Sequence, residues 1–100
     1  MYRIDNCDCS KLPMLMGNFD GRPLSKVLFQ NNTERYAWRD YVRSEYLRLE
    51  VGSSTICIFT NLGDASSIAA KILETVGGTL KIIEDPVSDC VDRLLLSLGS

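Results

Sequence analysis

The rhythm of apolar and polar positions is clearest after residue 54. Thr55-Ile56-Cys57-Ile58-Phe59 is a short β-branched and apolar run, which predicts a buried strand. Asn61-Leu62-Gly63-Asp64 then turns the chain, and Asp64 suits the N-cap of a helix over about 65–76. In that helix Ile68, Ile72 and Val76 fall on one face, flanked by Ala65, Ala69 and Leu73, while Lys71 and Glu74 are left for water. Gly77-Gly78 ends it, because glycine accepts the left-handed conformation of a helix C-terminus. Thr79–Ile83 reads as a second strand. Asp85-Pro86 opens a last helix, whose apolar face holds Val87, Val91, Leu94, Leu95 and Leu98. The result is a C-terminal β-α-β-α unit with two parallel strands and a right-handed crossover.

The first half is less regular. Tyr2–Asn6, Leu12–Met16 and Ser25–Gln30 are candidate short strands, in a region broken by Pro13, Gly17, Gly21 and Pro23. Asn32 or Thr33 can cap a long helix to about Glu50, with Trp38, Tyr41, Val42, Tyr46 and Leu49 at helical spacing. Gly52-Ser53-Ser54 links it to the second half. The expected fold is therefore α/β or α+β. It is one small domain over residues 1–100, with a mixed sheet of four to five strands and three helices.

Composition narrows the function more than the fold. With 45% apolar and 24% charged residues in 100, the chain can bury a core without staples or metal. A net charge of −2 argues against a general nucleic-acid coat. No apolar run is long enough to span a bilayer, and the first residues lack a signal-type apolar segment. The expectation is a cytoplasmic protein whose four cysteines are free thiols. Histidine is absent, which removes the commonest general base and metal ligand. No catalytic residue, cofactor or metal is assigned.

Two stretches remain as candidate chemistry. Cys7-Asp8-Cys9 brings two thiols together, but structural zinc spaces its paired cysteines more widely and needs a second pair. Its aspartates oppose thiolate formation, so it reads as a polar turn. Asn61 to Ser67 joins a strand end to a helix start, where α/β proteins bind anions. It has one glycine, no lysine, and Asp64 standing where a phosphate would sit. The tail GGTLKIIEDPVSDCVDRLLLSLG resembles the end of the STAS regulatory domain of anti-sigma-factor antagonists, with its glycine pair, strand, proline and final amphipathic helix. That resemblance implies a regulatory switch, and places Asp64-Ala65-Ser66-Ser67 near the family's phosphorylated serine.

The stretch RYAWRDYVRSEY sets Arg35, Arg39 and Arg43 four residues apart. On a helix these are neighbours, and like charges so placed cost a few tenths of a kcal/mol per pair. Glu34, Asp40, Glu45 and Glu50 neutralise the segment, so exposed ion pairs are one reading. The other is a contact surface, since arginine with Trp38, Tyr41 and Tyr46 has the composition of an interface hot spot. The expectation is a small non-enzymatic inhibitor, regulator or adaptor that meets an acidic protein surface, with self-association through the same segment as a variant. The alternatives are the STAS-like or phosphate-binding switch and a nucleic-acid binder, the latter disfavoured by the interleaved acids.

Overall fold

The computed structural model describes residues 1–28 and 34–83, with backbone alone at Val27 and Leu28. Strand β1 (Tyr2–Asp5) leads into a short 3-10 turn (Cys9–Lys11) and helix α1 (Leu12–Met16). Strands β2 (Ser25–Leu28), β3 (Glu34–Asp40), β4 (Glu45–Val51) and β5 (Thr55–Thr60) follow, then helix α2 (Ala65–Val76) and strand β6 (Thr79–Ile82). The six strands form one sheet in the order β2-β3-β4-β5-β1-β6, and every neighbouring pair is antiparallel. The protein is a small α+β domain, with six antiparallel strands and two helices among the described residues.

This revises the mixed sheet of four to five strands. β5 and β6 do run parallel to each other across α2, as expected of a β-α-β unit. They are not neighbours: β1 lies between them, antiparallel to both, with Ile4 opposite Ile56 on one side and Leu80 on the other. The unit is a split β-α-β whose gap is filled by the first strand of the chain. The glycine pair makes this closure possible. Gly77 ends α2 at φ 72° with its N–H on the Leu73 carbonyl, and Gly78 follows at φ 93°. A Cβ on Gly78 would run into the backbone carbonyl of Asp5. The last helix, with Leu95 and Cys90, lies outside the described residues, as do Phe29, Gln30, Asn32 and Thr33.

The larger correction is the segment 33–50. It is a β-hairpin, not a helix. Glu45 to Val51 alternates, with Leu47, Leu49 and Val51 buried and Tyr46, Arg48 and Glu50 on the other face. A helix would rotate residues two apart by about 200° and could not bury Leu47, Leu49 and Val51 together. In β3, Tyr36 and Trp38 share the core face while Arg35 and Arg39 take the opposite one. Leu12–Met16, expected as a strand, is a helical turn, with Pro13 near its start, where a missing N–H costs nothing.

The helices cover one face of the sheet. Ile4, Leu47, Leu49, Val51, Ile56 and Ile58 from the strands pack there against Leu12 and Met16 of α1 and Ile68, Ala69, Ile72 and Val76 of α2. The expected core positions Ile56, Ile58 and Ile72 are all within it. On the other face Cys57 and Phe59 are also buried, packed with Met1, Tyr46 and Ile83.

Candidate functional site

The hairpin brings only part of the predicted contact surface together. Four residues, Tyr41 to Ser44, connect β3 to β4. Asp40 folds this tip: its Oδ1 accepts from the N–H of Val42 at 3.0 Å and of Arg43 at 3.2 Å. Ser44 closes the turn at φ 54°. From outside the hairpin, Asn61 clamps its base. Asn61 Oδ1 accepts from the Tyr46 N–H at 2.9 Å, and its Nδ2 donates to the Ser44 carbonyl at 2.7 Å. Beside it the Thr60 hydroxyl donates to the Tyr46 carbonyl at 2.6 Å.

On this braced support Tyr41 is 80% and Val42 95% exposed. Arg39 stacks its guanidinium over the Tyr41 ring, 5.2 Å from the centroid, and Arg43 stands 3.9 Å from Asp40. Arg39, Tyr41 and Arg43 are thus gathered at one end of the molecule, joined by Val42. The rest lie apart. Arg35, at the far end of β3, bonds Glu50 at 2.9 Å. Trp38 packs against the core on the other face, with Arg22 over its ring at 5.1 Å. Tyr46 is half-buried beside Phe59, whose ring is stacked by Arg48 at 4.6 Å.

Helical spacing puts Val42 in an apolar stripe. Once the segment is read as two strands, it becomes a turn residue. Asn61 reads in the sequence only as a turn former, whereas its clamp reaches residues fifteen and seventeen positions away.

The Asp64–Ser67 turn starts α2 as expected, and the Asp64 carbonyl accepts from the Ile68 N–H at 3.1 Å. The Asp64 side chain, however, makes no capping hydrogen bond. Ser66 and Ser67 are exposed. Among the described residues no group of three or more ligating side chains could hold a metal, and no helix is long and apolar enough to cross a membrane.

The cysteines divide. Cys57 is buried and disulfide-bonded, which corrects the expectation of four free thiols and removes the cysteine argument for a cytosolic setting. Cys7 and Cys9 are free, with their sulfurs 3.5 Å apart. Cys7 is buried, and its Sγ also lies 3.3 Å from the Ser54 carbonyl. The hydrogen bond from Cys9 pulls the Cys7 thiol below its ordinary value, against burial and the nearby Asp5 and Asp8 carboxylates. The same bond, with burial, pushes Cys9 up. Asp8 caps the 3-10 turn: its Oδ1 accepts from the N–H and hydroxyl of Ser10, which lowers its carboxyl.

No protein-family model, curated protein or solved structure matches the chain, so the likeness of its tail to the STAS domain gains no support.

Proposed function

We propose that the protein acts by binding another protein through the tip of the β3–β4 hairpin, with an acidic surface as its target. The observation that carries this reading is the exposure of Tyr41 and Val42 on a turn braced by Asp40 and Asn61, with Arg39 and Arg43 beside them. Large exposed side chains need explanation only when they are held together, and here the backbone is fixed on both sides. A braced tip gives up less entropy on docking than a loose one. Tyrosine and arginine dominate interface energetics, and arginine meets carboxylates bidentately. The protein is read as a non-enzymatic inhibitor, regulator or adaptor. Arg35 and Trp38, tied to Glu50 and to the core, fall outside the contact.

The test is a side-by-side retention of partners from the native host by the wild-type chain, by the double variant Arg39→Glu/Arg43→Glu and by Tyr41→Ala. A partner lost by both variants, and released from the wild type by rising salt, supports the tip. Partners retained equally by all three would remove it.

A further inference from the structure

The opposite end of the same hairpin carries a second arrangement. A cavity of about 250 Å³ is lined by Cys9, Ser10, Pro13, Lys26, Glu34, Val51 and Gly52. Lys26, opposite Tyr36 in the β2–β3 ladder, reaches diagonally to Glu34 and pairs with it at 3.3 Å. Tyr36 is only 3% exposed, and burial pushes its phenol up, with the Glu34 carboxylate and Cys9 adding to the rise and Lys26 opposing it. Cys9 opens into this cavity, and Cys7 lies directly behind it. The backbone holds both sulfurs in place: the Cys7 N–H donates to the Ser54 carbonyl at 3.1 Å and the Asp8 N–H to the Val76 carbonyl at 2.9 Å.

We infer that Cys7 and Cys9 form a thiol–disulfide exchange site, with Cys9 the attacking sulfur, Cys7 the resolving sulfur and the cavity the seat of a small peptide disulfide. Lys26 suits a carboxylate of such a substrate and Glu34 an amine. Cys9, which faces the cavity, gives up its proton to solvent water, while Cys7 stays a thiol that donates to the Ser54 carbonyl. The Cys9 thiolate attacks the incoming disulfide R–S–S–R; a Cys9–S–S–R bond forms and one thiolate RS⁻ leaves. That thiolate takes the proton from Cys7. The Cys7 thiolate then attacks the Cys9 sulfur, the Cys7–Cys9 disulfide forms and the second RS⁻ departs. The two cysteines are oxidised together, and the external disulfide is reduced to two thiols. A disulfide closed over a single intervening residue is held from relaxed geometry, and strain makes it easily reduced. The pair therefore runs in both directions, unlike a permanent cross-link.

The experiment uses the full chain and oxidised glutathione as probe, followed by intact-mass and peptide mass spectrometry. The wild type should lose two hydrogens, mapped to Cys7 and Cys9, with no glutathione retained. Cys7→Ser should accumulate a mixed disulfide at Cys9, and Cys9→Ser should react at least about tenfold more slowly. Lys26→Gln should slow the reaction with oxidised glutathione but not with the uncharged hydroxyethyl disulfide. A wild type that retains glutathione on either sulfur, or equal rates for the two serine variants, would overturn the exchange site. Equal slowing of both disulfides by Lys26→Gln would overturn the assignment of the cavity. Far-UV circular dichroism of each variant separates chemistry from unfolding.

Discussion

The hairpin tip and the split β-α-β unit are held by different forces. In β5 all six residues are buried, and Ile68, Ala69, Ile72 and Val76 of α2 pack in one core with its Ile56 and Ile58. The unit is stabilised by apolar area, which is additive, non-directional and hard to remove piecemeal. The tip buries almost nothing: Tyr41, Val42, Arg43 and Ser44 are all exposed. Its shape comes from a few directed bonds, from Asp40 within the turn and Asn61 outside it. Side chains at the tip can therefore change with little effect on the fold, while the clamp keeps their geometry defined.

The largest effect should come from the core. Ile72→Ala removes a fully buried side chain between α2 and the sheet, and should destabilise by about 2–5 kcal/mol. A denaturant titration in which the midpoint does not move would show that apolar burial is not what holds the unit.

Gly78→Ala comes next. The residue sits at φ 93°, and its new Cβ would meet the Asp5 carbonyl where β6 pairs with β1. An unfavourable backbone conformation alone costs about 1–3 kcal/mol, and the collision adds to it. Hydrogen exchange should show β6 loosened first; protection unchanged in Thr79–Ile82 would contradict the tight passage.

The two regions also differ in how well periodicity describes them. The strand at 55–60, the helix at 65–76 and the strand that follows were legible because each is a local pattern with clear stops: Asp64 before α2, the glycine pair after it. The insertion of β1 between β5 and β6 was not, since a strand of four residues says nothing about which edges it fills. The hairpin failed for another reason. A spacing of four places Arg35 and Arg39 side by side on a helix, but it is also an even number, so a strand puts them on one face too. The deciding signal was the alternation of Leu47, Leu49 and Val51, which helical spacing of Trp38, Tyr46 and Leu49 had masked. Arg39, Tyr41 and Arg43 still meet, because a four-residue turn keeps its own ends close. The Cys7–Cys9 contact was visible as a spacing, but its cavity, built with Lys26, Glu34 and Gly52, exists only in three dimensions.

Asn61→Ala tests the clamp itself. It removes the acceptor for the Tyr46 N–H and the donor to the Ser44 carbonyl, both near the surface, and should cost about 1 kcal/mol. The Tyr46 amide should exchange faster while β5 and α2 keep their protection. Uniform loss of protection would mean that the tip and the core unfold as one unit.

The smallest change in stability should follow Arg39→Glu with Arg43→Glu. The stack of Arg39 on Tyr41 is exposed and contributes about 0.5 kcal/mol. The Arg43–Asp40 contact, at 3.9 Å with an arginine side chain 77% exposed, adds close to nothing after solvent screening. The Asp40 bonds to the Val42 and Arg43 amides use backbone donors, so they survive both substitutions. The expected loss is about 0.5 kcal/mol, near the scatter of surface substitutions. A destabilisation of several times that size would mean that the arginines hold the turn, and the separation between a structural core and a presented tip would fail.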